Sequence, residues 1–88
     1  MPPSRVDANQ QPIVDGLRAL GYSVDIQSRF RGHRWDLTVF HPSWPRWEVR
    51  LLEVKAPGGK WTPGELEFGA EFPVTVVHSL EECLEALQ

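Results

Sequence analysis

The sequence predicts a small mixed α/β domain, a short β-sheet flanked by helices in the order α-β-β-β-α-β-α. Three observations predict it. Two β-rich runs flank Pro42-Ser43-Trp44-Pro45-Arg46, where two prolines forbid ladder pairing and so mark a hairpin loop. The second run leads through a Pro-Gly-Gly turn into a Thr-Pro helix start and then another β-branched run, a βαβ crossover that implies one parallel strand pair. The chain has 88 residues, enough for a single core and no second domain.

Each element has its own signal. Residues 1–6 read as a flexible tail. Ile13, Val14, Leu17 and Leu20 recur at helical spacing and Gly21 is a stop, which predicts a helix over about 9–20. Pro12 is tolerated only in a first turn, so the start lies near Asn9, with Asp7 or Asn9 as N-cap. Tyr22–Gln27 alternates as a strand, and the polar, basic stretch Ser28–Arg34 is a loop. Trp35–His41 and Trp47–Lys55 are the hairpin strands, and Ala56–Lys60 is a turn. Thr62 caps a short helix with Pro63 in its first position, and Pro73–Val77 is the last strand. Ser79-Leu80-Glu81-Glu82 is a capping box opening a helix whose stripe of Leu80, Cys83, Leu84 and Leu87 makes Cys83 a core residue.

Composition excludes several classes. A 41% hydrophobic and 24% charged chain is ordinary for a folded domain, not a disordered one. No apolar run approaches the length of a membrane span, and Met1-Pro2-Pro3-Ser4-Arg5 lacks the apolar stretch of a secretory signal. The lone Cys83 excludes an internal disulfide framework or a multi-cysteine zinc site, so a cytoplasmic protein is expected. The net charge of −3 conceals a division: Arg29 to Trp61 carries seven basic residues and three acids, while Thr62 to Gln88 carries six Glu and no Lys or Arg. The basic segment, interleaved with Phe30, Trp35, Trp44, Trp47 and Trp61, suits a phosphate backbone; equally, its arginines suit a solvated surface.

A hairpin centred between Trp44 and Pro45 pairs Asp36 with Glu53, Thr38 with Leu51 and Phe40 with Val49. Directly paired residues share a face, so Asp36, Glu53 and Lys55 cluster at its open end. Two facing carboxylates repel unless something positive lies between them, and Lys55 or a divalent cation meets that need. Oxygen ligands with open positions suit Mg²⁺ or Mn²⁺, and such an ion beside a lysine supports phosphodiester hydrolysis.

Asp36 followed by Glu53-Val54-Lys55 resembles the D…ExK signature of the PD-(D/E)xK nucleases. More narrowly, the chain resembles the small phage and bacterial VRR-NUC type, related to Holliday-junction resolvases. Most of the chain shares in the likeness: Asp7-Ala8-Asn9-Gln10 before the first helix, Trp35-Asp36-Leu37, Leu51 to Lys55, Thr62-Pro63-Gly64-Glu65, and Val76 to Glu82. ExK alone is a weak signal, whereas the ordered set is far more specific. The resemblance implies a restriction-endonuclease-like core forming one nuclease domain, with Asp36, Glu53 and the Val54 backbone carbonyl as ligands of Mg²⁺ or Mn²⁺. Lys55 would orient the attacking water, and Glu65 would help shape the site. It further implies DNA as partner, with Arg29, Arg31, Arg34 and Lys60 near its phosphates, a homodimer or higher oligomer, and the cytoplasm of a bacterial or phage-infected cell. The sequence departs from the pattern twice. Pro12 stands where many relatives carry a first-helix Glu, leaving Gln10, Gln11 or Asp7 as substitutes, and His78 stands where Arg is frequent.

Structural alternatives stand beside these readings. Asp36, Glu53 and Lys55 also fit an edge-strand salt-bridge network, and the loss of the helix carboxylate fits a non-catalytic DNA-binding or assembly module of the same fold. His33 and His41 have no cysteine at zinc-ligand spacing. Trp44, in the hairpin tip between prolines, is a base-stacking platform or, by preference, an exposed dimer contact. No Gly-x-Ser-x-Gly or Walker spacing is present, which sets aside a serine hydrolase or a P-loop enzyme.

Overall fold

The computed structural model describes residues 8–59 and 61–88, so the expected N-terminal tail, Asp7 and Lys60 lie outside the described residues. Three helices, α1 (Gln10–Ala19), α2 (Pro63–Glu71) and α3 (Leu80–Ala86), accompany four strands, β1 (Ser23–Ile26), β2 (Leu37–Phe40), β3 (Arg50–Val54) and β4 (Val74–Val77). A single 3₁₀ turn, Gln27–Arg29, follows β1. The strands form one sheet in the order β1-β2-β3-β4, antiparallel except for the parallel pair β3–β4. The element order and the one parallel pair are those the sequence predicts.

Alternation along the strands divides the sheet into two unlike faces. Leu37, Val39, Leu52, Val54 and Val77 lie on one face and are buried with Ile13, Val14 and Leu17 of α1 and Cys83 of α3. Burying each of the larger side chains contributes roughly 1.5–3 kcal/mol. The two helices approach closely at Gly16, where an added Cβ would come within 2.5 Å of Leu80 Cδ2. The opposite face carries Asp36, Thr38, Leu51 and Glu53, and α2 lies beside its open end with no buried residue of its own. A helix so exposed depends on its ends: Thr62 Oγ1 accepts from the Glu65 N–H, and Glu65 Oε1 accepts from the Thr62 N–H at 2.7 Å, a complete capping box. Among the described residues no helix is long and apolar enough to cross a membrane.

Four expectations are corrected. Asn9 occupies the N-cap position of α1 but makes no capping bond; its Nδ2 instead donates to the carbonyls of Lys55 (3.2 Å) and His78 (2.8 Å), pinning α1 to the ends of β3 and β4. Ser79 does cap α3, accepting from the Glu82 N–H, but the Glu82 carboxylate pairs with His78 Nδ1 at 2.9 Å and so leaves the box half made. The strand expected from Trp47 begins at Arg50, because the Glu48 N–H donates to the Pro45 carbonyl and prolongs the turn. Trp44 is not an exposed contact. It packs on the core beside Tyr22 and His41, with the Arg50 guanidinium 5.2 Å above its ring, and the exposed indole is Trp47.

Candidate active site

The hairpin register places the site. Leu37 pairs with Leu52 and Thr38 with Leu51, the register expected from the loop, so Asp36 and Glu53 come next in line on the open face. The Asp36 N–H continues the ladder to the Leu52 carbonyl at 3.0 Å, one residue before β2. Its Oδ2 accepts from the Val54 N–H at 2.8 Å, which holds one carboxylate oxygen against β3. The Lys55 N–H donates to the Val77 carbonyl at 3.0 Å, so the lysine backbone is tied to β4 just past the end of β3.

Around this strand end the charged groups form a chain. Glu53 is 2% exposed. Burial, then hydrogen bonding and repulsion from the carboxyls of Asp36 and Glu65, push the Glu53 carboxyl to about 10, so it holds a proton at neutral pH. Glu65 is the opposite case. Burial would raise it, but hydrogen bonds from the Glu53 carboxyl, the Lys55 ammonium and the Thr62 N–H outweigh that and hold it at about 2. Lys55 Nζ donates to both Glu65 oxygens, at 2.8 and 3.0 Å. Glu65 therefore caps α2, orients the lysine and accepts from Glu53 with a single carboxylate. The sequence pointed to Glu65 only as an accessory residue.

A cleft of about 380 Å³ opens over Glu53, lined by His33 and Arg34 on one side and by Glu65, Glu67, Phe68 and Glu71 of α2 on the other. His33 Nε2 lies 3.6 Å from Asp36 Oδ1, with Nδ1 3.2 Å from the Phe30 carbonyl. Neither His33 nor Phe68 was singled out at this site from sequence. The i, i+3 spacings of His33 to Asp36 and of Glu65 to Phe68 are the signals that place them here. Arg29, Arg31 and Arg34 are exposed on the stretch leading into Asp36, and the Arg34 guanidinium lies 5.5 Å from the Phe68 ring centre. Gln10 is buried, its Nε2 donating to Ser28 Oγ at 2.8 Å, and the Ser28 N–H in turn donates to the Asp36 carbonyl at 3.3 Å.

Whether these groups suit a divalent cation is decided by Glu53. A buried carboxyl forced to keep its proton beside two other carboxyls is a position where a cation replaces the proton with gain. Among the described residues no three His, Cys, Asp or Glu side chains are grouped to hold a metal ion. Asp36 and Glu53 would offer an ion only oxygen donors, a set that suits Mg²⁺ or Mn²⁺ better than zinc. No protein-family model, curated protein or solved structure matches the chain.

Proposed function

We propose that this chain is a Mg²⁺- or Mn²⁺-dependent endodeoxyribonuclease built on a restriction-endonuclease-like core, hydrolysing phosphodiester bonds in branched or otherwise structured DNA. One observation carries the reading: the hairpin register brings Asp36 into line with Glu53, which lines an open cleft, and Lys55 follows just past the end of β3. Such a pair of carboxylates followed by lysine is the D…ExK pattern that the sequence resembles.

In this reading Asp36, Glu53 and the Val54 carbonyl hold the ion. When bound, the ion supplies Lewis-acid stabilisation of the charge that develops on the phosphoryl oxygens. The chain's own residues do the rest. The Val54 N–H keeps Asp36 oriented, and Glu53 would hold the ion as a carboxylate in place of its proton. Lys55, steered by Glu65, directs the attacking water toward phosphorus. Arg34, at the cleft mouth, with Arg29 and Arg31 nearby on the loop, receives the phosphates on either side. We assign the protein to the cytoplasm of a bacterial or phage-infected cell. A homodimer would supply two sites for two strands, and the exposed Trp47 and Val49 at the hairpin end favour such a contact. Sedimentation equilibrium tests it, and a monomer at micromolar concentration would count against it.

The deciding experiment is cleavage of plasmid and junction DNA with and without Mg²⁺. Asp36→Ala and Lys55→Ala are each expected to lower the rate by at least about 10²-fold, the scale of a lost acid–base or positioning group. Cleavage that survives both substitutions rules the site out. A second reading, a non-catalytic DNA-binding module of the same fold, is favoured by the first turn of α1, which contains no acid. Calorimetric titration with Mn²⁺ separates the two, since the module reading requires no binding that depends on Glu53.

A further inference from the structure

The carboxylate chemistry leaves unused one built feature that borders the cleft. Trp35 and Phe68 stack with centroids 5.5 Å apart and planes inclined by 20°, and Phe68 and Phe72 stack at 4.5 Å and 24°. The inner end of this stack is held in place, because Trp35 Nε1 donates to Thr38 Oγ1 at 2.8 Å and Gln27 Nε2 donates to the same oxygen at 3.2 Å. Its outer end is open: Phe72 is 44% exposed. The middle ring, Phe68, lines the cleft above Glu53.

The cleft walls differ in charge. Arg34 lines one side, with Arg29 and Arg31 exposed on the same loop, while Glu67 and Glu71 line the α2 side. A strand with its phosphates toward the arginines turns its bases toward α2. There they meet ring faces, which attract any base, and carboxylates, which accept from exocyclic amino groups and repel phosphate. The opposite orientation would set phosphates against acids.

Building on the nuclease reading, we propose that the Trp35–Phe68–Phe72 stack is a platform for an unpaired nucleobase, with Phe72 as the stacking face. The substrate is then DNA carrying a single-stranded stretch, since a base inside a duplex has no free face to offer.

The test uses the full chain in EDTA, which prevents cleavage, and three end-labelled probes. These are a single-stranded deoxycytidine oligomer of about twelve nucleotides, an abasic oligomer with the same phosphates, and the matching duplex. The wild-type chain is expected to bind the base-containing strand about tenfold more tightly than the abasic one, the scale of one stacked base. Phe72→Leu, which keeps apolar bulk without a ring, is expected to remove most of that preference, and Phe72→Tyr to retain it. Equal binding of both strands by the wild type, tighter binding of the duplex, no binding of any probe, or a preference that survives Phe72→Leu overturns the proposal. So does sedimentation showing a wild-type dimer that Phe72→Leu dissociates, which would assign the ring to a second copy of this chain. Cleavage assays with Asp36→Ala, run in parallel, keep the two ideas apart. Asp36-dependent cleavage without a base preference sinks only the platform, and a base preference without cleavage sinks only the nuclease.

Discussion

Glu53 is the residue on which the site turns, because it is buried, uncharged at neutral pH and flanked by two more carboxyls. The unfolded chain releases this proton near the ordinary glutamate value of 4.5, whereas the folded chain keeps it to about 10. Over that interval the folded state binds more protons than the unfolded one, so Glu53 weakens the fold as pH rises. Glu65 acts in the reverse sense: its stabilising contribution is complete above 4.5 and is lost as pH falls toward 2. Glu53→Gln, which mimics the protonated acid, is therefore expected to raise the Tm of the metal-free protein at pH 8 by at least about 4 °C, the shift that 1 kcal/mol produces in a domain of this size. Near pH 4 the difference should vanish. Thermal unfolding at both values checks it, and a wild type at least as stable as the variant at pH 8 would sink the account. Mn²⁺ should reverse the ranking, stabilising the wild type by about 2.7 kcal/mol at a hundredfold excess over Kd and leaving Glu53→Gln unmoved.

Among the elements, α2 is the one whose stability comes from its ends and edges. It has no buried residue, and its capping box shares a carboxylate with Lys55. Thr62→Ala removes the bond to the Glu65 N–H, a loss of about 1 kcal/mol. Because that loss falls on a weakly attached helix, amide exchange in α2 is expected to quicken about fivefold while amides of α1 and β3 keep their protection. Uniform acceleration across all elements would instead mark α2 as part of the cooperative core. The helix was readable from Thr62-Pro63-Gly64-Glu65 because a capping box is a local motif, complete within four residues. The same logic explains what was not readable. Asn9 satisfies its amide on carbonyls of Lys55 and His78, and Glu82 prefers His78 to the Ser79 N–H. Both choices depend on strand ends that meet only after folding. Trp44 departs from its expected exposure for a related reason, since it packs beside Tyr22, which lies outside the hairpin. The Asp36–Glu53 alignment, by contrast, followed from loop length and the two-residue period of a strand, which carry register without tertiary help.

For the whole molecule, the arrangement of charge matters more than its sum. The net charge of −3 would by itself discourage a polyanion, yet the acids are concentrated after Thr62 and the cleft stands between the two populations. A binding face built this way neutralises few phosphates, because only Arg29, Arg31 and Arg34 of the described residues are assigned to them. Each phosphate neutralised on a single strand contributes about −0.7 to the slope of log K against log salt, so three arginines give a slope near −2. Single-stranded DNA binding titrated across a range of KCl concentrations is expected to show that shallow dependence. Arg31→Ala should reduce its magnitude by about 0.7 and weaken every sequence alike, because a phosphate contact carries no base information. Phe72→Leu, by contrast, should lower affinity with the slope unchanged, since stacking releases no counterions. A slope much steeper than −2 would mean that a larger basic surface is engaged than the arginine loop, drawn from other basic residues such as Arg46 or Lys60 or from a second copy in the complex. A slope near zero would remove the arginine loop from the interface altogether.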